Sequence, residues 1–148
     1  MAKSILTARQ IEFLRVFSSN VEIAKRFYLT GGTCLSEYYL HHRVSEDLDF
    51  FCDSEFDPLN LTMWIGGNKN TLAFDSFEFQ QSFNRNMYFL SYAKDNKLKV
   101  EFTYYPFRQI ENPKKHKGIL IDSLLDIATN KLFTIYQQPR GRDYFDWV

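Results

Sequence analysis

The alternation of apolar and polar positions divides the chain into short strands and short helices. "TARQIEFLRVFSS" places Ile11, Leu14 and Phe17 at helical spacing, with Thr7 positioned to cap the first turn. "RFYLT" predicts a strand that stops at the Gly31–Gly32 pair, and "TCLSEYYLHH" predicts a helix with Leu35, Tyr39 and Leu40 turned inward. "DLDFFC" predicts the next strand. The stretch 57–67 fits either a helix or a loop ending at a glycine pair. Three strand-like runs follow, Leu72–Gln80, Asn86–Tyr92 and Leu98–Tyr105, the last two joined by the turn signal "AKDNK". After the polar loop "ENPKKHK" comes a short strand, "GILI". Asp122 then caps a helix running to about Gln137, and "RGRDYFDWV" begins a final helix. This order predicts an α/β (α+β) fold, a mixed β-sheet with an antiparallel meander flanked by helices, rather than a doubly wound parallel sheet. No repeat or linker interrupts it, so residues 1–148 read as one domain.

Within this frame the acids are placed unusually. Residues two apart on a strand share a face, so Leu48, Phe50 and Cys52 take one side of "DLDFFC", and Asp47 and Asp49 take the other. Their Cα atoms lie about 7 Å apart, within joint reach of one or two divalent cations. Two adjacent like charges on a packed strand are costly unless a cation lies between them, and Mg²⁺ prefers such hard oxygen donors. An isolated D-x-D is more often a solvated strand edge, and two further features weigh against that here. In "LKVEFTYY", Lys99, Glu101 and Thr103 share one face, which puts an acid in mid-strand where Glu is disfavoured. "GGT" precedes a helix, and such a turn allows close backbone approach to a phosphate, with the Thr33 hydroxyl beside it. Taken singly, Glu101 is an exposed strand residue and "GGT" is a turn.

Lys131 lies on an apolar helical stripe with Leu124, Ala128 and Ile135. Its stem either snorkels to the surface or carries a charge to triphosphate oxygens beside the acids. His41 and His42 point about 100° apart on a helix, and with Cys34 and Cys52 they give no zinc spacing. The composition is globular, 45% hydrophobic, with a formal net charge of zero, so no broad basic field is available for non-specific nucleic-acid binding. Lys114, Lys115 and Lys117 form a local exception, a solvated loop that is also the candidate contact to an RNA backbone. The start of the chain lacks the apolar segment of a signal peptide, no run approaches a membrane span, and two cysteines make no disulfide framework. A reduced, cytoplasmic protein is expected.

"GGT", a helix, and then "HRVSEDLDFF" resemble the core motif of the nucleotidyltransferase superfamily, and are especially similar to the AbiEii/AbiGii family of toxin nucleotidyltransferases. The positions that carry the likeness are Gly31, Gly32, Thr33, Leu35, Arg43, Ser45, Asp47, Leu48, Asp49, Phe50 and Phe51. "KVEF" is similar to the family's third-acid strand, which implies that role for Glu101. The segment from Ser123 to Trp147 resembles another family motif through Asp126, Lys131, Arg142, Asp143 and Asp146. The spacer of fourteen residues between Gly32 and Asp47 is long for the family, and Cys34 stands where alanine is usual. The helical part that usually follows is expected to be short or missing. The resemblance implies a metal-dependent transfer of NMP from an NTP to a tRNA end or a protein hydroxyl. Asp47, Asp49 and Glu101 would hold Mg²⁺ or Mn²⁺, and Gly31, Gly32 and Thr33 would seat the phosphates. Arg43, Ser45 and Lys131 would bind the triphosphate, and Glu101 would help activate the acceptor. It also implies a toxin neutralised by a cognate antitoxin protein, with no membrane involved. Two rivals stand beside this reading: a catalytically inactive nucleotide-binding or protein-interaction module on the same fold, and Mg²⁺-dependent phosphodiester hydrolysis.

Overall fold

The run "DLDFFC" forms β2 (Asp47–Cys52), the middle strand of a seven-stranded mixed sheet. The computed structural model describes residues 4–41 and 47–137. On one side β2 pairs in parallel with β5 (Lys97–Tyr104); β4 (Arg85–Ser91) and β3 (Ser76–Ser82) follow outward as an antiparallel meander. On the other side β2 pairs antiparallel with β1 (Tyr28–Thr30), β1 pairs in parallel with β7 (Ile119–Ile121), and β6 (Lys114–His116) closes that edge.

Alternation along β2 decides which face is which. Leu48, Phe50 and Cys52 are buried, while Asp47, Asp49 and Phe51 are half-buried. Phe50 packs 4.5 Å from the ring of Phe17 on α1 (Ala8–Ser19) and stacks 5.1 Å from Phe102 on β5. Trp64 of α4 (Pro58–Gly67) meets Phe13 edge-on, so α1 and α4 together cover the core face. Burying one such aromatic contributes roughly 1.5–3 kcal/mol.

The helix starts follow their capping chemistry. The Thr7 hydroxyl accepts from the backbone N–H of Gln10 at 3.2 Å, and the Gln10 side chain accepts from the N–H of Thr7 at 2.9 Å. Asp57 caps α4 by accepting from the N–H of Leu59, which settles 57–67 as a helix. α2 (Val21–Ala24) is a single turn. α3 (Gly31–Leu35) begins at the first glycine, two residues before the helix expected from sequence, and passes into a π-helical turn over Ser36–Leu40.

Several expectations are corrected. Ile11 is 48% exposed, and the inward residues of α1 are Phe13, Leu14, Val16 and Phe17, because the large aromatics take the core-facing arc. Leu40 is exposed, since the π-turn rotates it outward. The strand expected from Leu72 starts at Ser76. Lys69–Leu72 forms a short helix, α5, closed by the left-handed residue Ala73, and Leu72 and Phe74 enter the core. Lys114 and Lys115 lie in β6 rather than in a loop. The turn to β7 is Lys117–Gly118, both with positive φ, as a two-residue hairpin loop requires. The cap of α6 (Leu124–Gln137) is Ser123, whose hydroxyl accepts from the N–H of Asp126 at 3.0 Å, and not Asp122. Leu124 is exposed, and the inward arc of α6 runs through Asp126 and Ile127, with Lys131 half-buried at its edge. The expected final helix lies outside the described residues.

Candidate functional site

The face of the sheet opposite the core carries the acids, and strand register fixes their neighbours. Asp49 stands opposite Thr30 on β1 and Glu101 on β5, and Asp47 stands opposite Lys99. One strand further, Met87 pairs with Glu101 and Arg85 with Thr103. Asp47, Asp49 and Glu101 are therefore brought to one face of adjacent strands, as the alternation predicts.

The turn at Gly31 is built against this face. Gly31 has φ +77°, and a Cβ there would sit 2.5 Å from Oδ2 of Asp49, so the backbone approaches the carboxylate as only glycine permits. The Thr33 hydroxyl donates to the backbone carbonyl of Asp47. Its proton, expected from sequence to face a phosphate, ties α3 to β2 instead.

Glu101 is nearly buried and fully engaged. Arg85 Nη2 donates to Oε1 at 2.8 Å and Nε donates to Oε2 at 3.2 Å. Thr103 Oγ1 donates to Oε2 at 3.1 Å, and Lys99 Nζ lies 3.7 Å from Oε1. Burial alone would push this carboxyl up; the Arg85 hydrogen bonds and charge, with Lys99 and Thr103, outweigh it and hold the carboxyl below its usual range. Arg85 is held protonated in turn, chiefly by its hydrogen bonds to Glu101. Alternation already places Lys99 and Thr103 beside Glu101, but Arg85 is a residue that sequence reasoning missed, because it is found only through the β4–β5 register.

The donor set fits a hard divalent cation in a specific way. Asp47 and Asp49 present half-exposed carboxylates side by side. Among the described residues, no three Asp, Glu, His or Cys side chains converge closely enough to cage an ion. Mg²⁺ is commonly held by one or two carboxylates together with substrate phosphates rather than by an all-protein cage, and that is the arrangement this face provides. Lys131 lies half-buried on α6, the helix that touches α3, and Gly32 is half-buried beside Gly31. Arg43 and Ser45, like Arg142, Asp143 and Asp146, lie outside the described residues.

Two other acids serve structure. Asp126 accepts from the N–H groups of Ile110 and Glu111 at 2.7 and 3.0 Å and from the Ser123 hydroxyl at 2.7 Å, fastening that loop to α6. Burial would raise its carboxyl, but these bonds outweigh burial and lower it. Asp122 is fully buried, accepting from Thr30 Oγ1 at 2.9 Å and Gln109 Nε2 at 3.0 Å, and burial pushes it up to about 6. Nearby, a cavity of about 570 Å³ is walled by Tyr28, Tyr105, Phe107 and Phe133, with Asp122 and Asn130 at its polar edge. Tyr28 pairs with Phe51, two residues beyond Asp49, so the cavity adjoins the acid face.

The family model described as "Nucleotidyl transferase AbiEii toxin, Type IV TA system" matches residues 12–148. Among solved structures, JHP933 from Helicobacter pylori is similar over 93% of this chain at 20% identity, with a TM-score of 0.69. The polyadenylate synthase of Megavirus is similar over 99% of this chain and 33% of its own, at 12% identity and a TM-score of 0.55. At these identities the likeness is one of fold, and the expected nucleotidyltransferase architecture is the one found. The chain spans 62% of the length of JHP933. No curated protein matches the chain.

Two outcomes follow from this geometry. Gly31→Ala adds left-handed strain of about 1–2 kcal/mol and a clash with Asp49, so its urea midpoint falls; an unchanged midpoint contradicts the close approach. Asp122 titrates near 6 when folded, against an ordinary 3.8. Its contribution to stability is therefore intact below that ordinary value and lost as pH rises through the folded one. Asp122→Asn removes the loss, gaining at most about 3 kcal/mol at neutral pH and none in acid, as read by urea unfolding. An equal difference at both pH values contradicts the assignment.

Proposed function

The chain belongs to the AbiEii family of nucleotidyl transferase toxins, and on that premise we propose that it moves a nucleoside monophosphate from an NTP to a hydroxyl of a tRNA or a protein. The reaction depends on Mg²⁺ or Mn²⁺, and the protein acts in the cytoplasm as the toxin of a toxin–antitoxin pair, held in check by a cognate antitoxin protein. The observation that carries this reading is the pairing of Asp47 and Asp49 on one face with the Gly31 backbone pressed against Asp49.

Asp47 and Asp49 would hold the cation, which when bound neutralises phosphate charge and polarises the reacting phosphoryl group. The backbone at Gly31 and Gly32 leaves room for the phosphate chain against the acids, and Thr33 holds that turn to β2. Lys131 supplies a cation to the triphosphate, joined by Arg43 and Ser45 on the strength of the family motif. The adjoining aromatic-walled cavity is large enough for a nucleoside. The acceptor hydroxyl attacks the α-phosphorus, the bond to the bridging oxygen of the leaving pyrophosphate breaks, and the hydroxyl proton passes to a carboxylate of this face. Rate then comes mainly from positioning and charge stabilisation. No helix of the described residues is long and apolar enough to cross a membrane.

One observation favours a second reading, an inactive nucleotide-binding or protein-interaction module on the same fold. The Glu101 carboxylate is engaged by Arg85 and Thr103. Labelling separates the two. With each α-labelled NTP, Mg²⁺ and total tRNA or cell protein, the wild-type chain should label an acceptor. The Asp47→Asn/Asp49→Asn double variant should lose about a hundredfold or more of that labelling. Its stability should hold or rise, because like-charge repulsion is relieved. Full labelling by the double variant moves the chemistry away from these acids, and no labelling by wild type leaves the binding module.

A further inference from the structure

The ion pair between Arg85 and Glu101 covers the third acid of the candidate site. Arg85 grips both oxygens of the Glu101 carboxylate: Oε1 accepts from Arg85 Nη2 and lies 3.7 Å from Lys99 Nζ, and Oε2 accepts from Arg85 Nε and Thr103. In this state both oxygens of Glu101 are committed to the Arg85 guanidinium, which neutralises the carboxylate toward a cation held by Asp47 and Asp49. We propose that Arg85 is an exchangeable counter-ion. It covers Glu101 while the site holds no nucleotide and transfers to the substrate's phosphate chain when the cation and nucleotide enter, which uncovers Glu101 as the third carboxylate. This rests on the nucleotidyl-transfer reading above and adds to it a residue and an order of events.

Three features of the face support the exchange. The two partners differ in freedom: the Glu101 side chain is 10% exposed, whereas that of Arg85, on the middle strand of the meander, is 49% exposed. Arg85 therefore has solvent on one side into which it can swing, while Glu101 stays fixed beside Asp49 in the parallel register. The ligand chemistry also matches, because the planar guanidinium fork meets a phosphate as it meets a carboxylate, with two parallel hydrogen bonds. One bidentate oxyanion pair is thus traded for another. Finally, neither charge is stranded. After Arg85 leaves, Glu101 keeps the Thr103 hydroxyl and the ammonium of Lys99, and the incoming cation takes up the freed lone pairs. Without such an exchange, a divalent cation would have to settle beside two resident cations on the same face, a repulsive arrangement.

The test uses the full chain and two separate probes, Mn²⁺ alone and inorganic triphosphate alone, each measured by calorimetry. Arg85→Gln frees Glu101 and removes the phosphate ligand. Mn²⁺ affinity should rise, on the order of tenfold, while triphosphate affinity falls roughly tenfold to a hundredfold. Glu101→Gln, which keeps the shape and the Thr103 contact, should move both the other way, with tighter triphosphate and weaker Mn²⁺. If Arg85→Gln does not fold, the Glu101→Gln arm decides. A merely structural ion pair would weaken both ligands together or leave both unchanged, and either result overturns the exchange while the transfer reading stands. If the wild-type chain binds neither probe, the transfer reading falls and the exchange falls with it.

Discussion

Phe50 is held between the rings of Phe17 and Phe102, and the placement of every candidate site residue follows from that burial. A strand has a side-chain period of two, so fixing Phe50, Leu48 and Cys52 in the core fixes Asp47 and Asp49 on the opposite face. A one-residue slip would bury two carboxylates among aromatics, at a cost of several kcal/mol for each unpaired charge. The same core row runs through Val100 and Phe102 on β5, which turns Glu101 outward beside Asp49. The acids are thus adjacent because the aromatics are packed, and no local propensity of the acids is required.

That dependence explains which parts were legible in the sequence. Period-two alternation is a local property, so the faces of "DLDFFC" and "KVEF" could be read directly, as could the cap at Thr7, whose chemistry lies within a few residues. The partner of Glu101 could not. Arg85 reaches it through the register of β4 on β5 across the "AKDNK" turn, which no pattern within either strand specifies. Asp122 and Ser123 are both capping residue types in adjacent positions. The choice between them was made by Thr30 and Gln109, distant in sequence, which bind Asp122 and draw it into the interior. On α6 the spacing of Leu124, Ala128 and Ile135 suggested an apolar stripe, yet Leu124 is exposed, and the inward arc includes Asp126, an acid whose hydrogen bonds to Ile110 and Glu111 justify its burial.

The electrostatics of the face are those of a site with its charges provisionally matched. Glu101 is neutralised by Arg85 with Lys99 beside it, and Asp47 and Asp49 stand half-exposed at the centre of the sheet. Such a surface favours a ligand that brings a cation and anionic oxygens together, as a metal–nucleotide does, over either one alone. The short neighbouring glycine turn keeps that approach open, since any side chain at Gly31 would occupy the space beside the Asp49 carboxylate.

The central claim is that the cation and the phosphate chain meet between Asp47, Asp49 and the Gly31 turn. Anomalous diffraction from crystals of the protein soaked with Mn²⁺ and a non-hydrolysable NTP tests it most directly. The account predicts an anomalous peak bridging the Asp47 and Asp49 carboxylates, with phosphate density against Gly31 and Gly32. A peak elsewhere, for example between Asp122 and Asp126, or nucleotide bound away from β2 with no metal at the two acids, would contradict it.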